Sequence, residues 1–136
     1  MDLIEEILNT VHTIAVIGMK DDVNEDAYRI PHYMSTKGYK IYAVNPGKTE
    51  KSALGEQFVA KVTDLKEQID LVDIFRRPEF LPAHAKEILS MKPLPKYVWF
   101  QLGIVNNEAA QELEKAGIKV VQDRCLLVEH RKYKAN

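Results

Sequence analysis

The sequence predicts an α/β protein: a Rossmann-like, doubly wound, five-stranded parallel sheet in the order 3-2-1-4-5, with helices on both faces. Three observations predict it. Short apolar runs recur at Thr13–Ile17, Lys40–Val44, Leu71–Phe75, Tyr97–Phe100 and Lys119–Val121. These runs are continuous rather than alternating, as in strands covered on both faces. Helical patterns separate most of them, and right-handed crossovers then leave few topologies. At 136 residues, the whole chain 1–136 reads as one domain.

Each element has its own signal. Leu3, Ile4, Ile7, Leu8 and Val11 recur at helical spacing, so residues 2–11 form an amphipathic lead-in helix. Gly18 closes the first strand. The next helix covers about 27–37 and stops at Gly38, which suits the left-handed position after a helix. Pro31 inside it demands the first turn, whose N–H groups lack intrahelical partners; the helix therefore starts near Ala27–Ile30. Thr63 caps a short turn over 64–68. A helix over 79–91 carries Pro82 early. Another, over 107–116, has Asn106 as cap and Gly117 as terminator. A last helix covers 126–133.

Composition excludes several functions. Lys and Arg total 19 against 20 Asp and Glu, a net charge of −1. A nucleic-acid or anionic-membrane binder would carry a basic excess. No apolar run nears the roughly 20 residues that span a bilayer. The opening MDLIEEILNTVH carries acids where a signal peptide carries bases, so the expected location is cytoplasmic. One cysteine excludes a disulfide framework. His12, His32, His84 and His130 are dispersed without metal-ligand spacing and read as surface or packing residues. No Ser/His/Asp set or carboxylate pair is legible, so no catalytic or metal-ligating residue is assigned.

In a parallel sheet the ligand binds at the carboxyl ends of the strands, at the switch point, here expected between the first and fourth strands. The residues just past the strands are Gly18-Met19-Lys20-Asp21, Asn45-Pro46-Gly47-Lys48, Arg76-Arg77-Pro78, Gln101-Leu102-Gly103 and Asp123-Arg124-Cys125. They offer close backbone approach and cationic donors for phosphate. A dinucleotide fingerprint fails twice. Lys20 and Val23 stand where its second and third glycines belong, and the second strand ends in Asn45 rather than an acid. The phosphate-binding G-x-x-x-x-G-K-[ST] loop is absent. What is left is a ligand with phosphates and an adenosine, held by separate Lys and Arg side chains. Arg76, following Phe75, is expected to reach that ligand, and Arg77 to face solvent.

IAVIGMK, YAVNPGK, VDIFRRPE, VWFQLGI and VVQDRCLLVEH stand in an order and spacing that resemble the small stand-alone CoA-binding proteins. These are similar to the CoA-binding domain of the succinyl-CoA ligase α subunit. The resemblance covers roughly 13–130 and implies coenzyme A as the cofactor. It places Gly18, Met19, Lys20 and Asp21 in the first ligand loop and Asn45, Pro46 and Lys48 in the Pro-Gly-Lys turn. It lines the pantetheine arm with Trp99, Phe100, Gln101 and Gly103, and sets Cys125 near the thiol end. Phe75 and Arg76 complete the site. The acids Asp21, Asp22, Glu25 and Asp26 repel a polyphosphate, leaving Lys20, Arg29, Lys48 and Arg76 to offset them.

The function expected is a binding or sensing module for CoA or an acyl-CoA without catalytic residues of its own. Two alternatives stand beside it: a CoA-supplying component of a multi-chain acyl-CoA ligase, and a nucleotide-dependent oxidoreductase. The expected partners are CoA or acyl-CoA and either a second copy or an enzyme chain, with no nucleic acid and no membrane.

Overall fold

The computed structural model describes residues 1–135. Its strands are β1 (Thr13–Ile17), β2 (Lys40–Val44), β3 (Ser52–Ala53), β4 (Glu56–Gln57), β5 (Leu71–Ile74), β6 (Tyr97–Phe100) and β7 (Lys119–Val121). Its α-helices are α1 (Leu3–Thr10), α2 (Asp26–Thr36), α3 (Leu81–Leu89), α4 (Asn107–Lys115) and α5 (Leu126–Ala135). All the long strands pair in parallel in one five-stranded sheet. The α/β Rossmann-like class is therefore as expected, but the strand order is not.

The order is β2-β1-β5-β6-β7, which is 2-1-3-4-5 among the long strands and corrects 3-2-1-4-5. The third long strand, β5, pairs with β1 rather than beyond β2. Two sets of bonds explain this. Val59 occupies the outer edge of β2: its N–H donates to Ala43 O at 3.0 Å, and Asn45 N–H donates to Val59 O at 2.9 Å. On the other side, the Asp70 carboxylate accepts from the backbone N–H groups of His12 (2.8 Å) and Thr13 (3.1 Å), pinning the start of β5 beside β1. The switch point moves accordingly, to the gap between β1 and β5.

Between β2 and β5 there is no α-helix among the described residues. A small antiparallel hairpin, β3–β4, takes its place. Its two-residue loop has φ of 53° at Leu54 and 87° at Gly55, both in the left-handed region that tight hairpins need. Strands of two residues carry no readable period, and leucine at the first loop position disguises the turn. The following turn, Val62–Asp64, is capped by Asp64 rather than Thr63: the Asp64 carboxylate accepts from Lys61 N–H at 3.1 Å.

Side chains alternate along each strand and so divide between two layers. Ala15, Ile17, Val72, Ile74, Val98 and Phe100 pack with α3 and α4. Ile14, Val16, Leu71, Tyr97 and Trp99 pack with α1, α2 and α5. Asn106 caps α4, its side chain accepting from Ala109 N–H at 2.9 Å.

Pro31 is not in the first turn of α2, since that helix begins at Asp26. A proline in the interior leaves the carbonyl four residues earlier without its helical donor. Here that carbonyl belongs to Ala27, and Lys20 N–H donates to it at 3.2 Å. The interruption in the helix thereby anchors the loop that follows β1.

Candidate functional site

The cleft forms where the loops after β1, β2, β5 and β6 meet. Gly18 turns the chain at the end of β1 with φ of +80°. A Cβ there would stand 2.3 Å from the Phe75 carbonyl oxygen, so only glycine allows the first and third loops to close up. Asn45 joins the second loop to the first. Its Oδ1 accepts from Gly47 N–H at 3.0 Å, and its Nδ2 donates to Met19 O at 2.9 Å.

Three adjoining lobes run along these ends. The first, about 150 Å³, lies among Gly18, Val44, Pro46, Val62 and His84. The second, about 340 Å³, is bordered by Lys20, Phe75, Arg77 and Phe80. The third, about 440 Å³, is bordered by Ile30, Phe75, Gln101, Gly103 and Cys125. Arg76 is a wall of all three. Its guanidinium carbon lies 4.5 Å from the Phe80 ring centroid, and its buried Nε has no hydrogen-bond partner among the described residues. A buried donor left unmatched in this way costs free energy that an added acceptor would recover.

Gln101 is 97% withdrawn from solvent in the sense that only 3% of it is exposed, yet it borders the third lobe. Its Oε1 accepts from Leu126 N–H at 3.2 Å, which leaves its amide N–H groups for a ligand. Gly103 is fixed across the third lobe by Asp123, whose Oδ1 accepts its N–H at 2.7 Å. Cys125 is a free, half-buried thiol.

Other expected site residues face elsewhere. Lys48 and Lys51 grip the two oxygens of Asp21 at 2.8 and 3.1 Å. The two ammonium groups, Lys48 foremost, hold the Asp21 carboxyl down to about 2. Neither Lys48 nor Asp21 borders a lobe; together they bind the first loop to the second. Arg29 pairs with Asp26 at 2.9 Å on the exposed face of α2. Met19, Trp99 and Phe100 are each 0% exposed, and their side chains belong to the core. Trp99 spends its indole N–H on Arg124 O at 2.8 Å.

Sequence reasoning missed three groups. Arg77 is exposed but borders two lobes and stacks at 5.2 Å on the Phe80 ring. Phe80, just before α3, borders the second lobe and carries both arginines on its ring. His84 lines the first lobe with Glu87, one helical turn on. The i,i+3 spacing of His84 and Glu87 was the only sequence signal for that pair.

Residues 12–131 match the family described as CoA binding domain. The chain belongs to that family. It is 39% identical to the Bacillus subtilis protein YneT over 127 residues, 93% of this chain and 91% of that one. The solved structure of the cell-free protein ID.343 from Thermus thermophilus is similar at 40% identity and a TM-score of 0.91, covering 98% of this chain and 99% of that one. The fold recurs in the dinucleotide-forming acetyl-coenzyme A synthetase 1 of Ca. Korarchaeum cryptofilum, with 20% identity and a TM-score of 0.69 over 85% of this chain and 27% of that one. No helix among the described residues is long and apolar enough to cross a membrane.

Proposed function

We propose that the chain binds coenzyme A, or an acyl-CoA, lengthwise along the three lobes, as a binding or sensing module. Membership in the CoA-binding family supports the ligand. The chemistry of the lobes supports its direction. The second lobe gathers Lys20, Arg76 and Arg77 and suits the phosphates. The first lobe, where Ile17, Val44, Pro46 and Val62 offer apolar surface beside Lys61 and Arg76, suits the base. The third, with Gln101 and the Gly103 turn, suits the amides of the pantetheine arm, whose thiol would then approach Cys125.

The observation that carries this reading is Arg76, shared by all three lobes with an unmatched buried Nε. Calorimetry with CoA, and separately with NADH, tests it. CoA should bind and NADH should not. Arg76→Gln should weaken CoA binding by about 1.5–3 kcal/mol, the scale of a charge-assisted hydrogen bond. Lys48→Ala should weaken it less, because Lys48 is committed to Asp21. Tighter binding of NADH than of CoA would favour the oxidoreductase reading and overturn this one.

A further inference from the structure

We propose that Phe80 is a positioning residue of the second lobe, and that its ring sets Arg76 and Arg77 as a paired clamp for a diphosphate; this rests on the coenzyme A reading. Charge marks that lobe out from its neighbours. Lys20, Arg76 and Arg77 border it and no carboxylate does, whereas Glu87 borders the first lobe and Asp26 the third. A polyanion is therefore attracted most, and repelled least, in the second lobe.

Consecutive residues on extended backbone point to opposite sides, so Arg76 and Arg77 left to themselves would divide between cleft and solvent. Here both side chains meet one ring. Arg76 Cζ lies 4.5 Å from the Phe80 centroid and Arg77 Cζ 5.2 Å. Neither arginine forms an ion pair among the described residues, so no acid gathers them. The attraction of each cation for the π electrons of the ring offsets part of their mutual repulsion.

The ring is itself held in place. Arg77 is extended, and Pro78 opens a single turn that Phe80 N–H closes by donating to Arg77 O at 3.0 Å. Pro78 O accepts from Asn106 Nδ2 at 3.0 Å, which ties the turn to the cap of α4. Leu81, 1% exposed, seats the start of α3 in the core. The platform is thus built before a ligand arrives, and less ordering of two long side chains is left for binding to do. A guanidinium lying against a ring keeps the N–H fork at its edge free. Two forks and the Lys20 ammonium match the two phosphoryl groups of a diphosphate.

Calorimetry with CoA tests this. Phe80→Leu keeps an apolar side chain without a π face, and should bind CoA about tenfold more weakly than the unaltered protein. Phe80→Tyr keeps the ring and should restore most of that affinity. In a background of Arg76→Gln and Arg77→Gln, Phe80→Leu should change affinity by less than about twofold, because no cation is left to place. Lost packing alone would weaken both backgrounds alike. The unaltered protein supplies a second measurement: the ¹⁵Nε resonances of Arg76 and Arg77 should both move when CoA is added, and stay in place with pantetheine, which has the arm without the phosphates. Full affinity in Phe80→Leu, an equal loss in both backgrounds, no rescue by Phe80→Tyr, or arginine resonances that ignore CoA or answer to pantetheine would overturn the role of Phe80 while leaving CoA binding intact. No binding of CoA by the unaltered protein would overturn the coenzyme A reading and this inference with it.

Discussion

The two faces of the sheet are built from the same strands but in different chemistry. The face under α3 and α4 is hydrocarbon: Ala15, Ile17, Val72, Ile74, Val98, Ile88 and Leu113 are all buried there. The face under α1, α2 and α5 buries titratable groups among its apolar ones. Asp73 sits in mid-strand between Val16 and Trp99, 1% exposed, with neither carboxyl oxygen bonded among the described residues. His130 is 0% exposed, its Nδ1 2.9 Å from the Tyr33 hydroxyl and its Nε2 unmatched. The first face holds by apolar transfer and dispersion, which do not depend on pH. The second must therefore give the fold most of its buried response to pH.

The sharpest way to break this comparison is a cavity in the hydrocarbon face. Leu113→Ala removes a 0% exposed side chain between α4 and the sheet. It should lower unfolding free energy by about 2–5 kcal/mol. The loss, measured by urea titration, should be the same at each pH from 5 to 8. A loss that changed with pH would show that the two faces are coupled.

On the other face, removing a group should stabilise. Burial pushes the Asp73 carboxyl well above its ordinary value of 3.8. A raised pKa means that the folded chain holds the proton more tightly than the unfolded chain. The resulting stability is complete below 3.8 and disappears as pH rises through the folded value. Asp73→Leu, close in shape and without polar atoms, should therefore raise stability at pH 7 by about 1–3 kcal/mol. Its advantage should grow as pH rises through the folded value of Asp73. An unchanged or lower melting temperature at pH 8 would mean that Asp73 has a partner.

The smallest effect concerns His130. Burial lowers its pKa below 6.5, with Lys134 and Lys37 adding repulsion. The sign is opposite to that of Asp73. Its contribution is present above 6.5 and is lost as pH falls through the folded value. His130→Phe should reduce stability at pH 7.5 by about 0.5–1.5 kcal/mol, through the lost bond to Tyr33. That deficit should narrow as pH falls below 6.5, where only the unaltered protein has an imidazole to charge. A deficit that is constant down to pH 5 would assign the acid response to another group.

Much of this molecule was legible before any coordinates. Each long strand is a local run of apolar residues, and each cap is a local side chain, so Asn106 and Gly38 announce helix ends without reference to the rest of the chain. The carboxyl-end location of Gly18, Phe75, Arg76, Gln101, Gly103 and Cys125 follows from those runs and the parallel rule. Burial on both faces was legible for the same reason, although the complete enclosure of the Trp99 and Phe100 side chains showed only once their neighbours were known.

Tertiary structure decided what depends on partners distant in sequence. One hydrogen bond donated and one accepted by Val59, with two accepted by the Asp70 carboxylate, set the strand order, and neither residue lies in a patterned segment. Lys48 was readable as a cation, but its pairing with Asp21 depends on where two loops meet. Pro31 reads in the sequence as a first-turn residue, whereas it lies inside α2 and the carbonyl it leaves free is taken by Lys20 N–H, in the preceding loop. The physical reason is the same in each case. Periodicity and capping are set by residues a few positions apart, whereas the pairing of a charge, a carbonyl or a sheet edge is settled by whichever group the folded chain brings within about 3 Å.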